Sequence, residues 1–195
     1  MKESPFTHEE AMSVGLFKNL NTPKEAAALI AGVMKRFDLK RGDMLLKEGQ
    51  ICKYIYYVST GAIRQYYFKR NKEITEYFAL ENMGFFCVES FIKHVPTYLN
   101  ITALENAVVI GIPREPLFAL RKINWDVECF YRTCIENSLI TSQHRMYSMQ
   151  FETARERYER MIHDFPTIIQ RVPSVYIASY LGISPETLSR VKGLK

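Results

Sequence analysis

The chain has 195 residues, 47% of them hydrophobic and 24% charged, which is ordinary globular usage and excludes a wholly disordered chain. At this length about 70% of the unfolded surface is buried on folding, so neither disulfides nor a metal is needed to hold a core. Lys and Arg number 26 against 21 Asp and Glu, a formal +5, which permits a nucleic-acid or membrane-surface partner without establishing one.

Met1 to Glu10 carry Glu3, Glu9 and Glu10 and no apolar stretch, so no secretory signal is expected there. Ala26, Ala27, Ala28, Leu29 and Ile30, between Pro23 and Gly32, predict a short helix. From Met34 to Arg114 the chain reads as β. Strand-like pieces at 35–39, 44–47, 54–59, 62–68, 73–79, 99–104 and 107–112 alternate with turn signals at Arg41-Gly42-Asp43, Glu48-Gly49-Gln50, Thr60-Gly61 and Arg70-Asn71-Lys72. Such spacing predicts a compact antiparallel sandwich or barrel.

Beyond Pro113 the pattern turns helical. Residues 115–122 predict a short helix. Asn124 is a candidate N-cap, with Asp126 and Glu128 at the positive end of the dipole. No Gly or Pro interrupts Trp125 to Met149, so one helix of about 37 Å is expected. Along it Ile135, Leu139, Ser142, Met146 and Met149 follow a 4-3-4-3 spacing that suits a two-helix seam. A second face holds Phe130, Tyr131 and Cys134. A long helix with two apolar faces needs two coverings, which predicts self-association through the seam. Thr153-Ala154-Arg155-Glu156 is a capping box, and Tyr158, Met161, Ile162 and Phe165 follow at helical spacing until Pro166. The expected division is a sensor at 1–123, a dimerisation helix at 124–149 and a DNA-binding unit at 150–195, giving an α+β fold overall.

The stretch from Pro173 to Lys192 predicts a helix-turn-helix. Ile177, Leu181, Ile183, Leu188 and Val191 can share one small core, and Ala178 is small where the helices cross. Gly182 tolerates the left-handed turn. Ser184 caps the second helix, and Pro185 fits its first turn. Glu186, Ser189 and Arg190 then share one face. Arg190 can bridge guanine O6 and N7, and Glu186 can accept from a cytosine amino group. The candidate DNA-contacting set is Ser184, Glu186, Thr187, Ser189, Arg190 and Lys192. From Gln150 onward there are 7 basic against 5 acidic residues, so the basic excess is not concentrated there, and binding should need two copies.

Catalysis finds no support. Cys52, Cys87, Cys129 and Cys134 show no CxxC pair and no zinc-like His pattern, and read as reduced structural thiols of a cytosolic protein. Of His8, His94, His144 and His163 only His94 lies in the β region, too few for a metal-bearing barrel. No nucleophile elbow, Walker loop or dinucleotide fingerprint occurs. No run reaches the ~18 apolar residues of a membrane span. A cytoplasmic protein with no catalytic residue, no metal and no membrane partner is therefore expected.

Taken together, Lys40-x-Gly42-Asp43, Leu46-Lys47-Glu48-Gly49, Tyr56-Tyr57-Val58-x-x-Gly61-x-x-Arg64 and the helix-turn-helix resemble the CRP/FNR family of bacterial transcription regulators. The resemblance runs from about Leu16 to the end. Arg157-Tyr158 and Tyr180-Leu181-Gly182-Ile183 look like a branch common in Bacteroides-like bacteria. It implies an antiparallel β-roll (a double-stranded β-helix like that of cyclic-nucleotide-binding domains), a central dimerisation helix and a winged-helix-like reading head. It also implies a homodimer on a palindromic operator in double-stranded DNA, with RNA polymerase as a further partner.

The segment Gly84–Asn100 departs from members that bind cyclic AMP. Glu89 matches their ribose-binding carboxylate, but Val88 replaces a glycine, and Thr97-Tyr98 stand at the arginine position. A buried cyclic phosphate wants a guanidinium, so an effector other than cyclic AMP is expected, in a pocket of Phe86, Val88, Glu89, Ser90, Thr97 and Tyr98. The cysteines do not match the family's N-terminal iron–sulfur cluster, and none is expected. Many relatives continue past the recognition helix into a β-wing. Here the sequence ends at Lys195, so a head lacking a full wing is expected, with Lys192, Lys195 and Arg171 as phosphate contacts. The alternative is a ligand-binding or protein-interaction module whose degenerate helix-turn-helix no longer binds DNA.

Overall fold

The turn residues and alternating apolar runs of the first half fold into two packed antiparallel sheets. The structure, a computed structural model, describes Ser4 and residues 6–193. Three short helices come first: α1 (His8–Met12), α2 (Gly15–Asn19) and α3 (Lys24–Ala31). The first two were not anticipated individually, although Thr7 and Glu10 form a capping box at the start of α1. The strands follow: β1 (Lys35–Leu39), β2 (Met44–Leu46), β3 (Tyr54–Thr60), β4 (Ile63–Lys69), β5 (Lys72–Ala79) and β6 (Gly84–Phe85). Helix α4 (Val88–Lys93) interrupts them before β7 (Asn100–Ala103) and β8 (Ala107–Pro113). One sheet has the order β1-β8-β3-β6 and the other β2-β7-β4-β5. This is the antiparallel β-roll, so the open choice between sandwich and barrel resolves to a roll.

Local chemistry sets the corners. Arg70 and Asn71 both have positive φ in the two-residue turn between β4 and β5, the backbone form that matches the right-handed twist of the strands. At Gly61, with φ of 94°, a Cβ would lie 2.6 Å from the side chain of Ala107, so only glycine fits. The hairpin carries one irregularity. Gln65 pairs with Tyr77 and Tyr66 with Thr75, which leaves Glu76 as the extra residue of a β-bulge.

The helical half begins with α5 (Arg114–Arg121) and α6 (Trp125–Phe151), a helix of 27 residues. Asn124 Oδ1 accepts from the Val127 amide at 3.0 Å, as a cap should. Helix α6 buries only its first turns, through Val127, Phe130 and Tyr131, against the roll. It stops at Phe151, and the Thr153–Glu156 capping box opens α7 (Ala154–Asp164). Then come α8 (Ile168–Arg171), α9 (Ser174–Leu181) and α10 (Pro185–Gly193).

The described residues form two hydrophobic cores. The larger lies between the sheets and under α3 and α6. The smaller joins the C-terminal helices, through Tyr158, Met161, Ile168, Ile177, Leu181 and Leu188, to Ala62, Phe78, Leu80 and Leu104 on the outside of the roll. The C-terminal unit is thus packed onto the roll. Among the described residues no helix is long and apolar enough to cross a membrane.

Candidate functional site

The bulge at Glu76 decides what each face of the β4–β5 hairpin presents. In an unbroken strand, side chains alternate, so Thr75 and Phe78 would point to opposite faces. With one extra residue between them they share the outer face, where Phe78 meets the Tyr180 ring at 5.3 Å and Thr75 meets Arg64. Glu76 and Tyr77 are left together on the inner face, where both line a cavity of about 500 Å³.

That cavity lies between the roll and α6. Its walls are largely aromatic and aliphatic, including Tyr57, Tyr77, Phe86 and Leu99, and the roofing helix contributes Cys134, Asn137, Ser138, Thr141, Ser142 and Arg145. All six residues expected around an effector, Phe86, Val88, Glu89, Ser90, Thr97 and Tyr98, line it. Their hydrogen bonding assigns them different work. Ser90 accepts from the Cys52 amide at 2.9 Å and donates to the Val95 carbonyl, so it is used up holding α4. Thr97 accepts from the Leu99 amide at 3.0 Å. Glu89 sits at the exposed rim, paired with Lys93 at 2.8 Å. Tyr98 is half-exposed, edge-on to the Tyr67 ring.

Glu76 was not singled out from the sequence. Its Oε2 is buried and has no hydrogen-bond partner among the described residues. Burial pushes its carboxyl above the usual range, against the weaker pull of Arg145. The same charge is the main reason the Tyr98 hydroxyl is raised. Burial lifts Tyr77 and Cys134 each to about 12, so both stay neutral. The Cys87 thiol is held protonated by its hydrogen bond with Cys52 and by burial. None of the four cysteines is in a disulfide.

Arg64, on the outer face, is only 1% exposed. Its Nε donates to Thr75 Oγ1 at 2.9 Å and its Nη1 to Glu73 Oε2 at 2.5 Å. The guanidinium lies 3.7 Å from the Tyr176 ring centroid on α9 and 4.4 Å from that of Tyr66. Ser179 of α9 accepts from the Thr75 amide at 2.9 Å and donates to the Glu73 carbonyl at 3.2 Å. Arg171 pairs with Glu81 at 2.7 Å and also with Glu105. A residue expected to contact phosphate is therefore committed to the roll in this arrangement. The paired guanidinium holds the Glu81 carboxyl down to about 2.

Arg145 touches both sides. It lines the cavity, its Nη2 donates to the Thr75 carbonyl at 3.2 Å, and its guanidinium lies 4.3 Å from the Tyr180 ring of α9.

The two-helix unit has the geometry the sequence predicts. Gly182 closes α9 in the left-handed conformation, and Arg157 donates to the Leu181 carbonyl at 2.9 Å. Ser184 accepts from the Thr187 amide at 3.2 Å at the start of α10. That hydroxyl is the first cause of the lowered Glu186 carboxyl. Glu186, Ser189 and Arg190 are exposed together, with Arg190 donating to Thr187 Oγ1. Lys192 instead reaches back to Ser174 Oγ at 3.1 Å. Lys195 lies outside the described residues.

The five seam residues do not stay on one surface. Ile135 packs on the roll core, and Ser142 lines the cavity. Met149 reaches the Gly182 turn, though it is still 43% exposed. Leu139 and Met146 are free-standing, joined on the open side by Ile140, Tyr147 and Phe151.

Residues 36–124 match the cyclic nucleotide-binding domain. No curated protein matches the sequence. Solved structures share the fold at low identity. FixK2 from Bradyrhizobium japonicum superposes with a TM-score of 0.71 at 20% identity, over 83% of each chain. The catabolite activator protein of Thermus thermophilus gives 0.57 at 20% identity, over 91% of this chain and 84% of that one. The c-di-GMP-responsive global regulator CLP of Xanthomonas campestris gives 0.66 at 15% identity, over 88% and 90%. A further neighbour, from Eubacterium rectale, is described as a transcriptional regulator of the CRP/FNR family and gives 0.67 at 16% identity, over 90% and 83%.

Proposed function

We propose that this chain is a sequence-specific, DNA-binding transcription regulator of the CRP/FNR type. It works as a homodimer in the cytoplasm, and its roll takes a small effector other than cyclic AMP. One observation carries the reading. The face formed by Glu186, Ser189 and Arg190 belongs to a unit fastened to the outside of the same hairpin whose inside lines the cavity. A change at the cavity wall is thereby a change at the seat of the reading head, with Arg145 in contact with both.

The dimer would form along the open side of α6, through Leu139, Ile140, Met146 and Tyr147, each at least half exposed. A helix face this apolar is ordinarily covered by a partner. Two heads related by the dimer axis then meet a palindromic operator, with phosphate contacts setting register and α10 reading bases.

The test is retardation of a palindromic duplex from the protein's own upstream region, with native mass spectrometry of the same sample. Binding should weaken steeply as salt rises. Arg190→Ala should cost about 1–3 kcal/mol of discrimination at one base pair. A variant that discriminates like wild type would remove α10 from the reading role. A monomer at working concentration would remove the α6 seam.

A further inference from the structure

We propose that the cavity takes a small, mostly apolar molecule bearing a protonated amine, which the Glu76 carboxylate receives. The proposal rests on reading the roll as the sensor and gives that sensor a ligand class.

Three features of the cavity point the same way. The first is backbone geometry. The bulge turns Glu76 inward, beside Tyr77, in a hairpin whose alternation would otherwise place these neighbours on opposite faces. Bulges commonly re-aim a side chain next to a functional site.

The second is an unmet charge. Glu76 Oε2 is buried and has no partner among the described residues, and a buried carboxylate without a partner is costly. The groups that face it are Cys87, Tyr98 and Arg145. Cys87 and Tyr98 are neutral. Arg145 attracts it, while its Nη2 donates to the Thr75 carbonyl and its guanidinium lies over Tyr180.

The third is the distribution of cations. Arg64, the one arginine of the hairpin's paired strand, points to the outer face and is enclosed there. Lys93 is paired with Glu89 at the exposed rim. The cation that does line the cavity, Arg145, is turned to the Thr75 carbonyl and the Tyr180 ring, so a cyclic phosphate entering there would meet an acid beside it. An ammonium would meet an acid that lacks a partner, and the aromatic walls would bury the rest of the ligand.

Titration calorimetry on the full chain can decide this with matched probes. Tryptamine and phenethylamine carry the amine, tryptophol replaces it with an alcohol, indole-3-propionate replaces it with a carboxylate, and cyclic AMP is the phosphate. The amines should bind, the alcohol about tenfold or more weaker, and the two anions not measurably. A tenfold difference is the scale of one charge-assisted hydrogen bond. Glu76→Gln should weaken the amines by the same factor and leave the alcohol unchanged. The amine-to-alcohol comparison needs no variant, so it stands even if Glu76→Gln folds poorly. Tighter binding of either anion, equal binding of amine and alcohol, or no binding by any amine would overturn the assignment. DNA retardation without ligand is scored on the same preparations. Retained DNA with no amine binding sinks only the ligand class, whereas amine binding with no DNA binding sinks the regulator reading.

Discussion

The hairpin β4–β5 carries a buried charged side chain on its outer face and a half-buried one on its inner face, and treats the two differently. On the outer face Arg64 is enclosed by Thr75, Glu73, Tyr66 and Tyr176: its charge is paired and stacked, although its Nη2 has no hydrogen-bond partner among the described residues. On the inner face Glu76 keeps an oxygen without a partner. A buried charge held in an ion pair fastens two parts of a protein together, whereas one without a counter-charge on its oxygens costs stability and persists where a ligand completes it. The outer face is therefore read as a joint and the inner face as a site.

Removing the joint should have the largest effect. Arg64→Ala strips Glu73 of its partner and opens a hole beneath Tyr176. Since Glu73 is partly exposed, we expect a loss of about 3 kcal/mol, the lower end for breaking a buried pair. Urea unfolding measures it, and proteolysis between α6 and α7 should quicken as the head loosens. A loss under about 1 kcal/mol, the range of an exposed pair, would mean that Arg64 does not fasten the head.

A smaller effect should follow pH at the second fastening. Arg171 holds the Glu81 carboxyl at about 2 against an ordinary 4.5. A depressed carboxyl lends stability that is complete above the ordinary value and lost as pH falls through the depressed one. The melting-temperature gap between wild type and Glu81→Gln should thus be constant above pH 4.5 and close between there and pH 2. A gap that persists through that window would show that it does not come from the Glu81 charge.

The smallest effect is expected on the inner face. Burial already disfavours the Glu76 charge, so Glu76→Gln should leave the melting temperature at neutral pH unchanged or slightly raised. A clear drop would reveal a structural role and erase the contrast with Arg64.

Much of this architecture is legible in the sequence because its causes are local. The strand 35–39 is observed with the bounds expected, the Asn124 cap and the Thr153–Glu156 box form as their spacing predicts, and Gly182 adopts the left-handed turn its position requires. The short elements escaped for equally local reasons. Strand β6 has two residues and exists only through its pairing with β3. Helix α4 has six residues and no side-chain cap to mark its start.

The bulge and the divided stripe on α6 are of another kind. In the run from Glu73 to Ala79, alternation alone pairs Thr75 with Tyr77 and Glu76 with Phe78. The register against β4 re-sorts them, joining Thr75 with Phe78 and Glu76 with Tyr77. Likewise the 4-3-4-3 spacing marks Ile135, Ser142 and Met149 as equivalent to Leu139 and Met146. The roll, the cavity and the head each claim one of the first three.

By itself the sequence determined the kinds of element, their caps and turns, and the helix-turn-helix, because propensity, backbone sterics and capping act within a few residues. Only the tertiary structure decided that the C-terminal helical unit sits on the roll, that Arg171 faces Glu81 and Glu105, and that Glu76 faces a cavity. Those outcomes depend on strand register and on which surfaces cover one another across 65 or more residues of chain, distances at which no local pattern carries information.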